Sequence, residues 1–238
     1  MPNEFRASSL LFAAITALRG DARAGDEAVQ GQRETAPEAG AGGAYGALLR
    51  FAEGHGLVSS EEWLSLLSAL EGGNEHEVFQ DPSDPGVLIK VTEPELRLRN
   101  GRDRIPKVTP LHYLERWHLA NVAFGDCAEL VAVIPTAEGL RIVMQQPFVP
   151  AADPESPNPD QREINRWLRA AAFEYQSGAW VRQEDGLVMV DTHEGNFILA
   201  IEGLRPVDVE LYRLKESVGP VIPWEVTLQR LAAVNENG

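Results

Sequence analysis

Acidic and amide side chains are concentrated in one short stretch of the chain, where they separate apolar runs with the composition of β-strands. The stretch "VMVDTHEGNFILAIEGLRPVDVEL", residues 188–211, contains Asp191, Asn196 and Asp208. Ionised aspartates are seldom buried without a partner, so two of them at the edges of apolar strands indicate solvated turns or a bound cation. If the flanking runs pair as a hairpin, their ends meet and bring the three side chains together.

The types of these side chains suit metal-assisted chemistry. An amide oxygen and a carboxylate are hard ligands that favour Mg²⁺, which fills its remaining positions with water and phosphate oxygens. The spacing predicts Asn196 and Asp208 as metal ligands and leaves Asp191, five residues before Asn196, to accept a proton from a hydroxyl nucleophile. Phosphoryl transfer needs this division of labour, together with a lysine on the phosphates that are not transferred.

A lysine for the phosphates ends the apolar run "VLIK". Lys90 would have its stem in a buried strand, and a lysine so placed usually needs an anion for its head. Glu115, in the middle of the helix predicted to follow, is the expected partner, and Glu93 and Glu95 are the alternatives.

Each of these features also has an interpretation that involves no ligand. Asp, Asn and Gly are ordinary turn residues, although turn chemistry does not account for Asp208 inside the apolar run "PVDVEL". Lys90 on an edge strand would discourage aggregation. His193 either orients the loop or caps a turn, and His76 is interpreted as a surface histidine, with a phosphate contact as the alternative.

Hydrophobic periodicity predicts the elements that position these residues. "HEVFQD" and "GVLIKVT" are β-rich runs around "DPSDPG", which predicts a hairpin. "TPLHYLERWHLANVAFG" predicts a helix with Thr109 as its N-cap and Gly125 past its end. Two further strands around the turn "AEG", "ELVAVIPT" and "LRIVMQQPFV", precede a helix over 160–177 and the short strands around the acidic residues. Upstream, "GALLRFAEGHGLVSSEEWLSLLSAL" predicts two helices, the second capped by Ser59 or Ser60.

Charge, hydropathy and cysteine content exclude several classes of protein. The formal net charge of −15 argues against nucleic acid as a partner, because phosphate backbones are bound by clustered Lys and Arg. No apolar run approaches the roughly 18 residues that span a bilayer, so no membrane partner is expected. The apolar run "SSLLFAAITAL" predicts a short amphipathic helix, with a signal peptide as the alternative. The single cysteine, Cys127, suits a reducing cytoplasm.

The motifs, in their order along the chain, resemble those of kinases. "VLIK" resembles the lysine strand of protein-kinase-like folds, and "DTHEGN" resembles the catalytic loop of aminoglycoside-phosphotransferase-like kinases. "VDVE" resembles the segment with the second metal-binding Asp. With "GGNEHEVF" and "YLERWHLANVAFGD" added, about residues 68–215 resemble the serine/threonine/tyrosine kinase-like domain of polyvalent proteins from phages and mobile elements.

The resemblance implies ATP with Mg²⁺ or Mn²⁺ as cofactors and a hydroxyl of a protein or small molecule as acceptor. It implies that Lys90 binds the α- and β-phosphates, that Glu115 anchors Lys90, and that Asp191 is the base. Asn196 and Asp208 would hold the metal. The further residues it places against the nucleotide, in the glycine-rich loop and in a hinge after Met144, are Gly72, Gly73, His76, Met144 and Gln146.

The implied fold class is α+β, a two-lobed protein-kinase-like fold with a small antiparallel sheet and one helix in the N-lobe and a reduced helical C-lobe. The predicted divisions are an N-terminal helix (1–19), a flexible linker or loop (20–46), a helical extension (47–70), the N-lobe (71–149) and the C-lobe (150–238).

Two departures from the kinase pattern favour an alternative function, a non-catalytic kinase-like interaction module that binds nucleotide or a partner. If Val78 is the valine of the glycine-rich loop, Glu71 and His76 occupy glycine positions. The chain after Asp208 is also too short for the helical platform on which protein kinases bind peptides. The catalytic and metal-binding set favours the enzyme, and the acceptor stays undetermined.

Overall fold

The chain forms two compact units. The computed structural model describes residues 10–21, 39–70, 75–96, 108–214, 217 and 219–236. The first unit contains the described residues up to Glu115 together with Cys127–Phe148, and the second contains Arg116–Asp126 together with the described residues from Val149 onwards. None of the described helices is long and apolar enough to cross a bilayer.

A five-stranded antiparallel sheet is the centre of the first unit. Its strands are β1 (Ser68–Leu70), β2 (His76–Asp81), β3 (Asp84–Thr92), β4 (Glu129–Thr136) and β5 (Gly139–Pro147), in the order β1-β2-β3-β5-β4. Both predicted hairpins, β2–β3 and β4–β5, are present. In the first turn the amide and hydroxyl of Ser83 donate hydrogen bonds to Asp81, which lowers the pKa of the Asp81 carboxyl.

The two faces of this sheet carry different side chains. One face carries the apolar core of the unit, whose members are Leu64, Ile89, Val91, Ala132, Ile134 and Val143. Cross-strand partners in a sheet share a face, as do residues two apart on one strand. Because the register pairs Lys90 with Met144 and Leu88 with Gln146, these four side chains lie together on the opposite face.

Helices of the first unit are α1, over residues 10–21, α2 (Ala39–His55), the single turn α3 (Glu61–Leu64), and the first part of α4 (Pro110–Phe124). Apolar residues of α1 recur at helical spacing and are buried, namely Leu11, Ala14, Ile15 and Leu18. α2 begins at Ala39, inside the stretch that the sequence predicted as a linker. The start of α4 agrees with the prediction, because the Thr109 hydroxyl accepts from the His112 amide at 3.3 Å.

The second predicted helix of residues 47–70 is wrong beyond its first turn. The amides of Ser65, Leu66 and Leu67 donate to carbonyls three residues earlier, which tightens the chain and ends the helix. Residues Ser68–Leu70 then form β1, whose pairing with β2 satisfies backbone groups that a continued helix would have bonded internally.

In the part of the second unit that the structure describes, two helices and two antiparallel sheets accompany the second part of α4. The helices are α5 (Gln161–Ala170) and α6 (Trp224–Glu236). A four-stranded sheet contains β6 (Glu174–Gln176), β7 (Ala179–Arg182), β8 (Leu187–Val190) and β11 (Glu210–Arg213), in the order β11-β8-β7-β6. β9 (Phe197–Ala200) and β10 (Gly203–Pro206) form a separate hairpin. The fold class is therefore α+β with antiparallel sheets, as predicted, although the second unit contains more strand than the expected helical lobe.

The predicted helix over 160–177 begins as expected and ends early. Asp160 caps α5 in a reciprocal arrangement with Glu163. The helix stops at Ala170 because Ala172 adopts a φ of 66°. Phe173 is then buried in the apolar core, and the residues after it pair with β7 as β6 rather than continuing the helix.

A buried ion pair supports the turn between β7 and β8. Arg182 donates to both carboxylate oxygens of Asp185 and to the Thr227 hydroxyl of α6, while Asp185 accepts from the Ile222 and Leu187 amides. Burial alone would raise the pKa of Asp185, but the Arg182 guanidinium and these backbone amides outweigh burial and hold it below its usual value. The pair therefore fixes the segment before α6 to the β7–β8 turn.

Candidate functional site

The loop that follows β8 holds Asp191 in an uncommon conformation. Asp191 has a φ of 56°, in the left-handed region that few residues other than glycine adopt. The buried amide of Asn196, 7% exposed, donates from Nδ2 to the Asp191 carbonyl at 2.7 Å and to its Oδ2 at 2.9 Å. One side chain thus fixes both the backbone and the carboxylate of Asp191, of which 53% is exposed.

His193 acts on the same carboxylate from the other side. Its Nδ1 accepts from the Gly195 amide at 3.1 Å, which caps the 3₁₀ turn Glu194–Asn196. Because Nδ1 is the acceptor, the proton of the neutral ring is on Nε2, which lies 3.6 Å from Asp191 Oδ1. The sequence left open whether His193 orients the loop or caps a turn. The two roles are compatible, because the ring caps the turn and also faces the Asp191 carboxylate.

Backbone pairing brings Asp208 to this loop. The Val207 amide donates to the Asn196 carbonyl at 2.9 Å, at the open end of the β9–β10 hairpin. In the other sheet, β11 pairs with β8 so that Glu210 lies opposite Val190, the residue before Asp191. Asp208 therefore lies between two backbone pairings. One is made at Asn196, and the other at Val190, the residue before Asp191.

Two side chains that sequence reasoning missed support the loop from the start of α5. Asn158 donates from Nδ2 to the carbonyls of Glu194 at 3.2 Å and Phe197 at 2.8 Å. Gln161 donates from Nε2 to the Thr192 carbonyl at 3.1 Å. The signal that was available is the capping box at Asp160, which marks residues 158–161 as a fixed helix start rather than a linker.

The proline-rich stretch 145–160 differs from the predicted hinge in two respects. β5 continues past Met144, because Val87 pairs with Pro147 and the Phe148 amide donates to the Gly86 carbonyl at 2.8 Å. Further along, the Ala152 amide donates to the Leu199 carbonyl, and the Leu199 amide donates to the Pro157 carbonyl. Residues 145–147 therefore belong to β5, and Ala152 and Pro157 are bonded to Leu199 of β9.

The nucleotide residues predicted in the first unit are buried on one sheet face. Lys90 is 6% exposed, and Met144 and Gln146 lie beside it. His76 is also on this face, yet it is buried, and its Nε2 lies 2.9 Å from the hydroxyl of Tyr113. The interpretation of His76 as a surface histidine is wrong, because β2 places it against α4. Gly72 and Gly73 lie outside the described residues.

Glu115 has a different cation from the one that the sequence predicted. Its Oε1 accepts from Nε of Arg19 at 3.0 Å and lies 2.8 Å from Nη2 of the same guanidinium. α1 brings Arg19 to this position because its buried apolar stripe fixes the helix on the first unit. The structure therefore pairs Glu115 with α1 rather than with Lys90.

The donor groups of the loop fit a divalent cation. Both hydrogen bonds from the Asn196 amide use its nitrogen, which leaves Oδ1 as the atom for a cation. The carboxylate of Asp208 is half-buried and supplies the charge that a hard cation prefers. Asn196 and Asp208 are therefore the residues of this loop that would hold Mg²⁺.

The fold is α+β, and its antiparallel sheet carries a buried lysine. A loop orients an aspartate beside an asparagine and a second aspartate. Together these features define a protein-kinase-like protein. The model of a family described as serine/threonine/tyrosine kinases found in polyvalent proteins matches residues 45–215. That match covers more than half of the chain, which therefore belongs to this family of kinases. The predicted resemblance is confirmed, whereas no comparison shows the likeness to aminoglycoside phosphotransferases. A search of curated proteins found no match to the chain.

Proposed function

We propose that the protein is a phosphotransferase that uses ATP and Mg²⁺ to phosphorylate a hydroxyl of a protein or a small molecule. The observation that carries the proposal is the geometry of Asp191, whose exposed carboxylate is held by a buried amide at a positive φ. Such backbone conformations cost about 1–3 kcal/mol and persist where the surroundings over-determine them, commonly at functional sites. Turn chemistry alone gives no reason to orient an exposed carboxylate in this way.

The predicted residues divide the tasks of the proposed reaction among them. The Asp191 carboxylate accepts the proton of the acceptor hydroxyl, and the Asn196 amide keeps that carboxylate oriented. Lys90 binds the phosphates that stay on the nucleotide, and Asn196 Oδ1 and Asp208 hold the metal. When bound, Mg²⁺ supplies positive charge against the phosphate oxygens.

Incubation of the full chain with labelled ATP tests the proposal, with mapping of any phosphorylated residue and parallel measurement of ATP hydrolysis. We expect Mg²⁺-dependent labelling or hydrolysis in the native chain and a loss of both in Lys90→Met, which keeps the apolar stem without the charge. Arg50→Met, on the exposed surface of α2, is the control and should keep its activity. Nucleotide binding without transfer or hydrolysis would instead establish the non-catalytic module.

One observation favours that alternative. In kinases the lysine of the sheet must pair with a helix glutamate for activity, and here Glu115 is engaged by Arg19. A module that binds nucleotide without transferring phosphate would need no pair between the sheet lysine and a helix glutamate. The two functions therefore differ in what they predict when Arg19 is removed.

A further inference from the structure

The side chain of Gln146 contains a polar atom that the fold leaves unsatisfied. Gln146 is 4% exposed, and its Oε1 is buried without a hydrogen-bond partner among the described residues. Most buried polar atoms in folded proteins have a partner, because an unsatisfied one costs about 1–3 kcal/mol. An acceptor left in this state on a sheet face with a buried lysine points to a ligand that donates a hydrogen bond.

The surroundings of Gln146 indicate the size and character of that ligand. Met144 is the cross-strand partner of Lys90, and Gln146 lies two residues after Met144 on β5. Measured along the strands, Gln146 is therefore about 7 Å from the level of Lys90. Val78 and Leu88, on the same face, are only half-buried and leave apolar surface accessible. This combination of a lysine, accessible apolar side chains and an inner acceptor suits a planar heterocycle joined to an anionic group.

Recognition by this side chain is favoured because the nearby backbone is largely engaged in the sheet. Gln145 is paired with both β3 and β4, and β3 pairs with Gln146 and Pro147. The Phe148 amide is bonded to Gly86. The outer torsion of a glutamine is soft, so its amide can turn toward a ligand at little cost.

We propose that Gln146 is a specificity residue whose Oε1 accepts a hydrogen bond from the 6-amino group of adenine. The inference rests on the proposed function, in which Lys90 binds the phosphates of a nucleotide. A ribose separates the base from those phosphates, so the base lies further along the sheet than Lys90. A purine nucleotide without the 6-amino group offers no donor at this position and leaves Oε1 unsatisfied, so ATP is selected over it.

Binding of two nucleotides to the full chain, each with Mg²⁺, tests the proposal. The nucleotides are ATP and purine riboside triphosphate, in which hydrogen replaces the 6-amino group. We expect the native chain to bind ATP about tenfold more tightly than purine riboside triphosphate, since a hydrogen bond to a buried group is of that order. Gln146→Met, which keeps the length of the side chain without the acceptor, should bind ATP and purine riboside triphosphate equally.

Gln145→Met is the matched control, because its side chain lies on the opposite face of β5 and should leave the preference for ATP intact. The proposal is overturned if the native chain binds both nucleotides equally, a result that needs no variant. It is also overturned if a folded Gln146→Met chain keeps the preference, since the backbone would then recognise the base. If no nucleotide binds to the native chain, the proposed function fails as well, and the two failures are thereby distinguished.

Discussion

At the scale of single residues, the loop after β8 is organised around one carboxylate. Asp191 takes an unfavourable backbone conformation, and Asn196 compensates by bonding both its carbonyl and its carboxylate. His193 faces the remaining oxygen. The outcome is a carboxylate that is exposed to a substrate yet restricted in orientation, which is what a base in phosphoryl transfer requires.

The role of Asp191 predicts a change in turnover rather than in binding. Asp191→Ala should lower kcat by roughly 10²–10⁴, the usual contribution of a general base, and leave ATP affinity within about twofold. Single-turnover kinetics and calorimetric titration measure the two quantities. Asp153→Ala, another exposed aspartate of the second unit, is the control. Equal turnover in Asp191→Ala and the native chain would show that Asp191 is not the base of the reaction.

The buried ion pair of the second unit predicts a pH-dependent stability. Asp185→Asn should lower the free energy of unfolding by about 3–5 kcal/mol at pH 7, because it leaves the Arg182 charge buried without a counter-ion. The folded pKa of Asp185 is lowered, so its stabilisation is full above the unfolded pKa of about 4 and is lost as pH falls through the folded value. The difference between the variant and the native chain should therefore shrink below about pH 4.

Urea unfolding from pH 7 to pH 3 measures this difference. The double change Arg182→Met with Asp185→Leu should cost less than Asp185→Asn, because it removes both charges and keeps apolar volume. A difference between Asp185→Asn and the native chain that stays constant down to pH 3 would contradict the assignment of the stabilisation to the ionised carboxylate.

At the scale of elements, α1 determines the partner of Glu115. The helix is fixed by buried apolar residues, and its Arg19 extends from this surface to α4. An ion pair that is partly exposed contributes at most about 1 kcal/mol, so it can bias the partner of Glu115 without fixing it. The helix therefore opposes the pairing of Glu115 with Lys90 that an active kinase would use.

Removal of the Arg19 charge should raise activity if the protein is a phosphotransferase. Arg19→Ala frees Glu115 to pair with Lys90, and we expect turnover to increase by up to about fivefold, the equivalent of 1 kcal/mol. Arg50→Ala, which removes a surface ion pair to Asp21, is matched in charge and exposure and should leave turnover unchanged. A decrease in turnover confined to Arg19→Ala would show that α1 supports the active arrangement instead.

At the scale of the whole molecule, the net charge of −15 governs how the protein meets an anionic nucleotide. ATP alone should bind weakly because carboxylates repel its phosphates, and a divalent cation should reverse the sign of that interaction. Binding at 100 times the dissociation constant stabilises a fold by about 2.7 kcal/mol. Nucleotide and metal should therefore stabilise the chain jointly.

Thermal unfolding with ATP, with Mg²⁺ and with both distinguishes these contributions. The unfolding midpoint should rise with both ligands together, change little with either alone, and lose the joint effect in Asp208→Asn. Glu202→Gln, in the exposed turn of the β9–β10 hairpin, removes the same charge elsewhere and should keep the effect. A rise with ATP alone that Mg²⁺ does not increase would exclude Asn196 and Asp208 as the metal site.

The sequence by itself determined the features whose causes are local. Turn residues predicted the hairpins β2–β3 and β4–β5, Thr109 predicted the start of α4, and the order of motifs predicted the kinase family. The grouping of Asp191, Asn196 and Asp208 was also predictable, since a short hairpin separates the last two. Each of these depends on residues that are near one another in the chain.

Only the tertiary structure decided the features that depend on distant partners. β1 and β6 are strands where helical periodicity predicted helices, because each pairs with a neighbouring strand that satisfies its backbone. Glu115 is paired with Arg19, 96 positions away, because α1 packs on the first unit. Gln146 lies on the face of Lys90 because of the register between β3 and β5. A shift of one residue would reverse that face, and local composition does not specify register between strands that are far apart in sequence.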